Sequence, residues 1–260
     1  FDEPFLDFKN FWNSIKKVKQ NNSIYKTLKS VLLVYKIIQN MDKYEKIIHR
    51  ISPYEVKKGS CNKAWRLIQD QYDNVYNRKD LKKANASCQE IIETIEYNQV
   101  EEKEKVKIGI IGEIYVVMES SINMEIEKML NKLGCETERS QYLSGWIDYN
   151  MIPGKGQEEK EVLKLGEKYI DIIIGGHAKQ TVGHIVDFKE KGFDGIIHLK
   201  PFACLPELVT ESIIPNISDE IKMPVLTLSL DEQTGTANNS TRVEAFVDML
   251  RRKKVSKHSA

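Results

Sequence analysis

Apolar residues recur along this chain in two rhythms, and the change between them falls near residue 105. Before that point the period is helical. Phe8, Phe11, Trp12, Ile15 and Val18 make one face. Ile24, Leu28, Val31, Leu32, Tyr35 and Ile38 make another, with Ser23 placed as its N-cap. Ser52-Pro53 interrupts the pattern, because the residue ahead of a proline is pushed out of helical geometry. Two more helices are predicted over 62–75 and 81–97, on the stripes Ala64/Trp65/Ile68/Tyr72 and Ala84/Cys88/Ile91/Ile92/Ile95. Residues 101–105, Glu-Glu-Lys-Glu-Lys, read as a charged hinge.

Beyond the hinge, short apolar runs alternate with helical segments. Strands are predicted over 106–111, 135–139 (at an edge), 170–174, 195–199 and 224–230. Helices are predicted over 121–133, 143–151, 158–169, 181–191, 206–213 and 241–253. This rhythm is that of a doubly wound, mostly parallel α/β sheet of the Rossmann or flavodoxin kind. The chain therefore divides into a helical segment, 1–105, and an α/β domain, 106–260. Residues 170–207 organise the second part. The run Ile-Asp-Ile-Ile-Ile reads as a strand covered on both faces, Gly175-Gly176 turn the backbone, and Gly195 opens the next strand. A parallel pair with a right-handed crossover puts both following loops on one edge of the sheet, where α/β proteins bind ligands.

Composition narrows the function. With 41% apolar and 30% charged residues over 260 positions, the chain reads as an ordinary folded protein. A formal charge of +1 supplies no field for nucleic acid or an anionic membrane. No apolar run approaches the ~20 residues that span a bilayer. The opening Phe-Asp-Glu-Pro is not a secretory leader, and the absence of an initial Met suggests a chain cut from something longer. Cys61, Cys88, Cys135 and Cys204 lie far apart without a Cys-x-x-Cys pair, which suits a reducing cytoplasm.

Four strand ends carry the informative loops, and a parallel sheet brings them to one rim. Glu113 reads as a functional acceptor or a simple N-cap, and Asp231-Glu232 as a solvated turn or an acid/base pair. His177 reads as a ligand contact or a helix cap. Residues 175–181, Gly-Gly-His-Ala-Lys-Gln-Thr, free backbone N–H groups ahead of a helix but depart from the Walker pattern. Cys204 opens a helix marked by Pro206, where the positive end favours a thiolate and Glu207 partly opposes it; the alternative is a buried free cysteine. Cys61 and Cys88 read as core residues, and His184 and His198 as satisfied structural histidines.

The string Gly112-Glu113-Ile114-Tyr115-Val116 resembles the acyl-CoA dehydratase activase-related proteins, relatives of 2-hydroxyacyl-CoA dehydratase subunits and double-cubane cluster proteins of anaerobic bacteria. The resemblance continues through Gly175-Gly176-His177 and Thr181-Val182-Gly183. It is strongest at Pro201-Phe202-Ala203-Cys204-Leu205-Pro206-Glu207 and at residues 228–235, and it covers about 106–250 well. It implies an iron–sulfur protein for electron transfer or activation, with Cys204 one ligand of a four-iron cluster. The other ligands are then expected in a preceding N-terminal α/β domain outside this chain. It further implies that Glu113, Tyr115, Gly175, Gly176, His177, Thr181, Pro201, Phe202, Glu232 and Gln233 line a cleft. An ATP-dependent activase or an acyl-CoA dehydratase is the implied partner, and a homodimer is expected. The rival reading is a metal-free α/β binding or scaffold domain for a small anionic ligand or a partner protein.

Overall fold

The computed structural model describes residues 23–258 apart from 173 and 232–235, together with Asn13, Lys16 and Lys17. The apolar face predicted on Phe8, Phe11, Trp12, Ile15 and Val18 lies outside the described residues, as do Glu232 and Gln233.

Among the described residues from 23 onward, three helices build the first part: α1 (Ile24–Ile51), α2 (Ser60–Tyr72) and α3 (Arg78–Glu93). The stripes expected on α2 and α3 close on α1, and Tyr44, Ile68, Tyr72, Leu81, Ala84 and Cys88 form their common core. On α1 the sequence indicated the wrong face. Leu33, Ile37 and Met41 pack inward, whereas Leu28, Val31 and Leu32 are exposed. An apolar stripe running nearly round the helix left periodicity without a unique direction. Ser52-Pro53 ends α1 in a 3₁₀ turn, as expected.

The second part is a four-stranded sheet, all parallel, in the order β2-β1-β3-β4. Its strands are β1 (Val106–Gly112), β2 (Cys135–Arg139), β3 (Gly195–Pro201) and β4 (Val225–Leu230). Alternation sorts their side chains to two covered faces. Ile108, Ile110, Ile197, Leu199 and Leu228 meet α4 (Ile114–Met118), α5 (Ile126–Lys132) and α10 (Thr236–His258) on one side. Ile111 and Ile196 meet α8 (Ala178–Glu190) and α9 (Leu205–Ile221) on the other. Each fully buried isoleucine contributes roughly 1.5–3 kcal/mol. Helices α6 (Leu143–Met151) and α7 (Gln157–Glu167) lead from β2 toward α8. The crossover β1→β2 thus uses one face and β2→β3 the other, which makes the sheet doubly wound.

One predicted strand is absent among the described residues. Residues 170–172 and 174 form no ladder; Ile170 packs into the core, but Ile172 is 63% exposed. Ile170 and Ile174 pack into the core and pin this connector at its two ends. The strand–helix–strand unit inferred from it is in fact a helix-rich crossover from β2 through α8 to β3. The helix expected over 121–133 is also shorter, because Met124 and Glu125 adopt positive φ and start it only at Ile126. Among the described residues no helix is long and apolar enough to cross a membrane.

The helical segment rests on the β2 side of the sheet. Arg50 pairs with Glu138 at 2.9 Å, and the Ser144 N–H donates to Asp42 at 2.8 Å. The Tyr35 hydroxyl bonds Asp148.

Candidate functional site

Winding reverses between β1 and β3, and the crevice beyond their C-terminal ends is where open α/β sheets hold ligands. Gly112 ends β1 at φ +134°, and a Cβ there would stand 1.8 Å from the Leu199 carbonyl oxygen. Only glycine allows that approach, and it lets the Glu113 N–H donate to the same oxygen at 3.1 Å. Glu113 is the N-cap of α4: its Oε2 accepts from the Val116 N–H at 3.0 Å. Of the two readings open in the sequence, the cap is the one the geometry displays.

Across the crevice, β3 leaves through Pro201 and Phe202, whose N–H donates to Leu230 at 3.1 Å, and reaches Cys204, the N-cap of α9. Cys204 is half-buried, while Cys61, Cys88 and Cys135 are buried. Burial raises the Cys204 thiol above its ordinary pKa; the Glu207 N–H opposes this, the Glu207 and Glu113 carboxylates reinforce it, and Lys200 opposes it. The expectation of a favoured thiolate is therefore corrected. Desolvation and two carboxylates outweigh the helix end.

Beneath Cys204 lies a polar network that the sequence did not reveal. His198 on β3 places Nε2 2.8 Å from Glu207 Oε2 and Nδ1 3.2 Å from Thr227 Oγ1. The Thr181 hydroxyl donates to Glu207 Oε1 at 3.0 Å. Thr181, His198 and Glu207 are almost wholly buried and Thr227 is half-buried, so the α8 and α9 N-termini are locked to β3 and β4 by directional bonds. His198 is the satisfied structural histidine expected. His184 is not: it is buried in α8, but neither ring nitrogen makes a hydrogen bond, and Glu159 and Asp187 stand 3.8 Å away. The visible hint of the network was Glu207 in the first turn of α9, a polar residue that the fold buries.

The remaining predicted positions sort as follows. Gly175 and Gly176 take positive φ, and Gly176 approaches α9 so closely that a Cβ would meet Pro206 Cγ at 2.9 Å. The loop therefore reaches the Cys204 rim without a strand behind it. His177 occupies the N-cap of α8 but makes no side-chain capping bond. Thr181 lies under the rim and does not line its surface. Tyr115 and Phe202 are exposed, at 61% and 66%, and Leu205 beside Cys204 is exposed as well. Lys200 is buried and pairs with Glu211 at 3.1 Å.

The donor set can be tested against a four-iron cluster, which takes about four ligands, mostly thiolates. Cys204 is at the rim. Cys61 and Cys88 belong to the helical core and Cys135 opens β2, at the far end of the strands from the rim. The chain's own cysteines therefore do not complete such a cluster.

Neither curated proteins nor solved structures give a match to this chain. A sequence model of one family, described as 2-hydroxyglutaryl-CoA dehydratase, D-component, matches residues 6–250. That span takes in the helical segment as well as the sheet and its rim, so the helices belong to the family's architecture, and the chain is a member of the 2-hydroxyglutaryl-CoA dehydratase D-component family.

Proposed function

We propose that this chain is part of an iron–sulfur component, for electron transfer or activation, in 2-hydroxyacyl-CoA dehydratase-type chemistry. Cys204 is then one ligand of a four-iron cluster whose other thiolates come from outside these 260 residues. They are supplied by chain preceding Phe1, as a further α/β domain, or by a partner subunit. An ATP-dependent activase or an acyl-CoA dehydratase is the partner that this chemistry calls for, and a reducing, oxygen-poor cytoplasm its setting.

The observation that carries the reading is the position of Cys204. Half-buried Cys204 sits at the switch-point crevice of a dehydratase-family fold, at the N-terminal end of α9 with the Glu207 N–H nearby. N–H donors to a ligating sulfur and a dry surrounding shell are means by which proteins tune a cluster's potential. Glu113 and His177 border the same crevice and are placed to contact substrate or to order the ligand loop. A raised thiol pKa means that metal loading displaces a proton, so loading strengthens with pH.

The test is anaerobic reconstitution, with ferrous iron and sulfide, of the protein as its native gene encodes it. The thiolate-to-iron absorption is expected in the parent and altered or lost in Cys204→Ala. An identical spectrum in both removes Cys204 from the ligand set.

A second reading is favoured by the exposed Tyr115, Phe202 and Leu205 on the rim, since clustered apolar exposure marks contact surfaces. In it the rim binds a partner protein or a small anionic ligand without metal. Colourless, iron-free protein after anaerobic isolation is its signature.

A further inference from the structure

The seam between the helical segment and the sheet holds a buried cluster remote from the Cys204 rim. Glu45 and His49 lie four residues apart on α1, so they share one face of the helix. Glu127, in the first turn of α5, faces them, and one donor atom from each of the three lies within 4.8 Å of the others. Arg139 of β2 bonds Glu45 and stands 3.5 Å from Glu127 Oε2.

Two features of this cluster are unusual. Glu127 is 94% buried, yet its Oε1 accepts no hydrogen bond, and its Oε2 stands 3.5 Å or more from the nearest cationic nitrogens. A buried carboxylate oxygen without a donor calls for a water or an ion.

The second feature is the tautomer of His49. Asn131 donates through Nδ2 to the carbonyls of His49 and Cys135 and to Thr137 Oγ1. Its Oδ1 is therefore the acceptor 2.8 Å from His49 Nδ1, and that nitrogen carries the hydrogen. In the neutral ring the Nε2 lone pair then faces Glu127 Oε2, 3.7 Å away. Two lone-pair donors facing one another repel unless a cation lies between them. The charges agree. Two carboxylates against one guanidinium leave an excess of one negative charge. Burial raises the Glu45 carboxyl, which Arg139 and His49 oppose and Glu127 and Asp42 reinforce.

We propose that Glu45, His49 and Glu127 form a binding site for a first-row divalent cation, such as Zn²⁺ or Fe²⁺, that clamps α1 to α5. Atoms 3.7 Å apart subtend about 120° at an ion about 2.1 Å from each, the spread of a tetrahedral or trigonal site. Bringing all three donors within reach takes shifts of under about 1 Å. One imidazole and two carboxylates suit the zinc and ferrous class better than calcium or magnesium, which prefer all-oxygen shells. Asn131 fixes the ring and its tautomer, and Arg139 neutralises the outer face of the carboxylates. The proposal is independent of Cys204.

The test is titration of chelator-treated protein with Co²⁺ near neutral pH, read by visible absorption and by thermal unfolding, with Zn²⁺ as competitor. Expected are one saturable equivalent with the weak bands of nitrogen and oxygen ligation, displacement by Zn²⁺, and a raised unfolding midpoint. Glu127→Gln and Glu45→Gln should each weaken binding roughly tenfold or more. Glu45 is partly exposed, so its variant decides the matter if Glu127→Gln does not fold. Three results overturn the site: no saturable binding by folded parent protein, which leaves a proton on His49 as the balancing charge; unchanged binding in the variants; or an intense thiolate-to-cobalt band that Cys204→Ala abolishes.

Discussion

Removing the Glu207 side chain should damage both the scaffold and the thiol above it. Glu207 is 1% exposed and His198 is fully buried, and Glu207 joins His198 at 2.8 Å to Thr181 at 3.0 Å. Glu207→Ala strands two buried polar groups at about 1–3 kcal/mol each. Breaking a buried pair by deleting one partner costs about 3–5 kcal/mol. For a chain of this size that lowers the unfolding midpoint by roughly 10 °C. Glu207→Gln separates charge from packing: it keeps the backbone N–H that faces the Cys204 sulfur and removes a carboxylate that raises the thiol. Alkylation of Cys204 by iodoacetamide, followed against pH by mass spectrometry, should then rise at lower pH than in the parent. Cys61, Cys88 and Cys135 are buried and serve as slow internal controls. A Glu207→Ala midpoint within a degree or two of the parent, or a Glu207→Gln alkylation profile unmoved or shifted upward, refutes this account of the rim.

Gly112→Ala should abolish folding or yield insoluble protein, because its Cβ falls 1.8 Å from the Leu199 oxygen at a positive φ; a soluble variant with native circular dichroism contradicts this. Gly183→Ala drives a methyl to 2.1 Å from the Val162 carbonyl where α7 and α8 touch, and should cost about 1–3 kcal/mol or more in urea titration. Burial pushes the thiols of Cys61 and Cys135 up to about 12 from an ordinary 9.0. The folded protein keeps these protons after the unfolded chain has lost them, so stability should fall as pH rises from 9.0 toward 12. Replacing both by alanine should flatten that decline, and an unchanged slope between parent and variant excludes the thiols as its cause.

The layout of the fold was legible because it rests on local patterns: α2, α3 and α6 through α10 each carry a period or a stop signal in their own sequence. The connector at 170–174 was misread for a physical reason. An isoleucine run has high strand propensity, but a strand also needs an edge to pair with. Here Ile170 and Ile174 are taken up by the apolar layer with α8 and α9, and the described residues of the run pair with no strand. At the rim, Gly112, Glu113 and Cys204 were visible because turns and helix starts have sequence signatures. The bonds among Thr181, His198, Glu207 and Thr227 were not, since the four residues meet only through tertiary packing. The same holds for Glu127 and Arg139, although Glu45 and His49 at helical spacing offered half of the signal.

The central claim, that Cys204 holds part of an iron–sulfur cluster, is tested most directly by electron paramagnetic resonance. The sample is dithionite-reduced protein isolated without oxygen from its native gene, compared with Cys204→Ser. The account predicts a reduced-cluster signal in the parent that is shifted or lost in the variant. No signal in iron-replete parent protein, or the same signal in both, would contradict it.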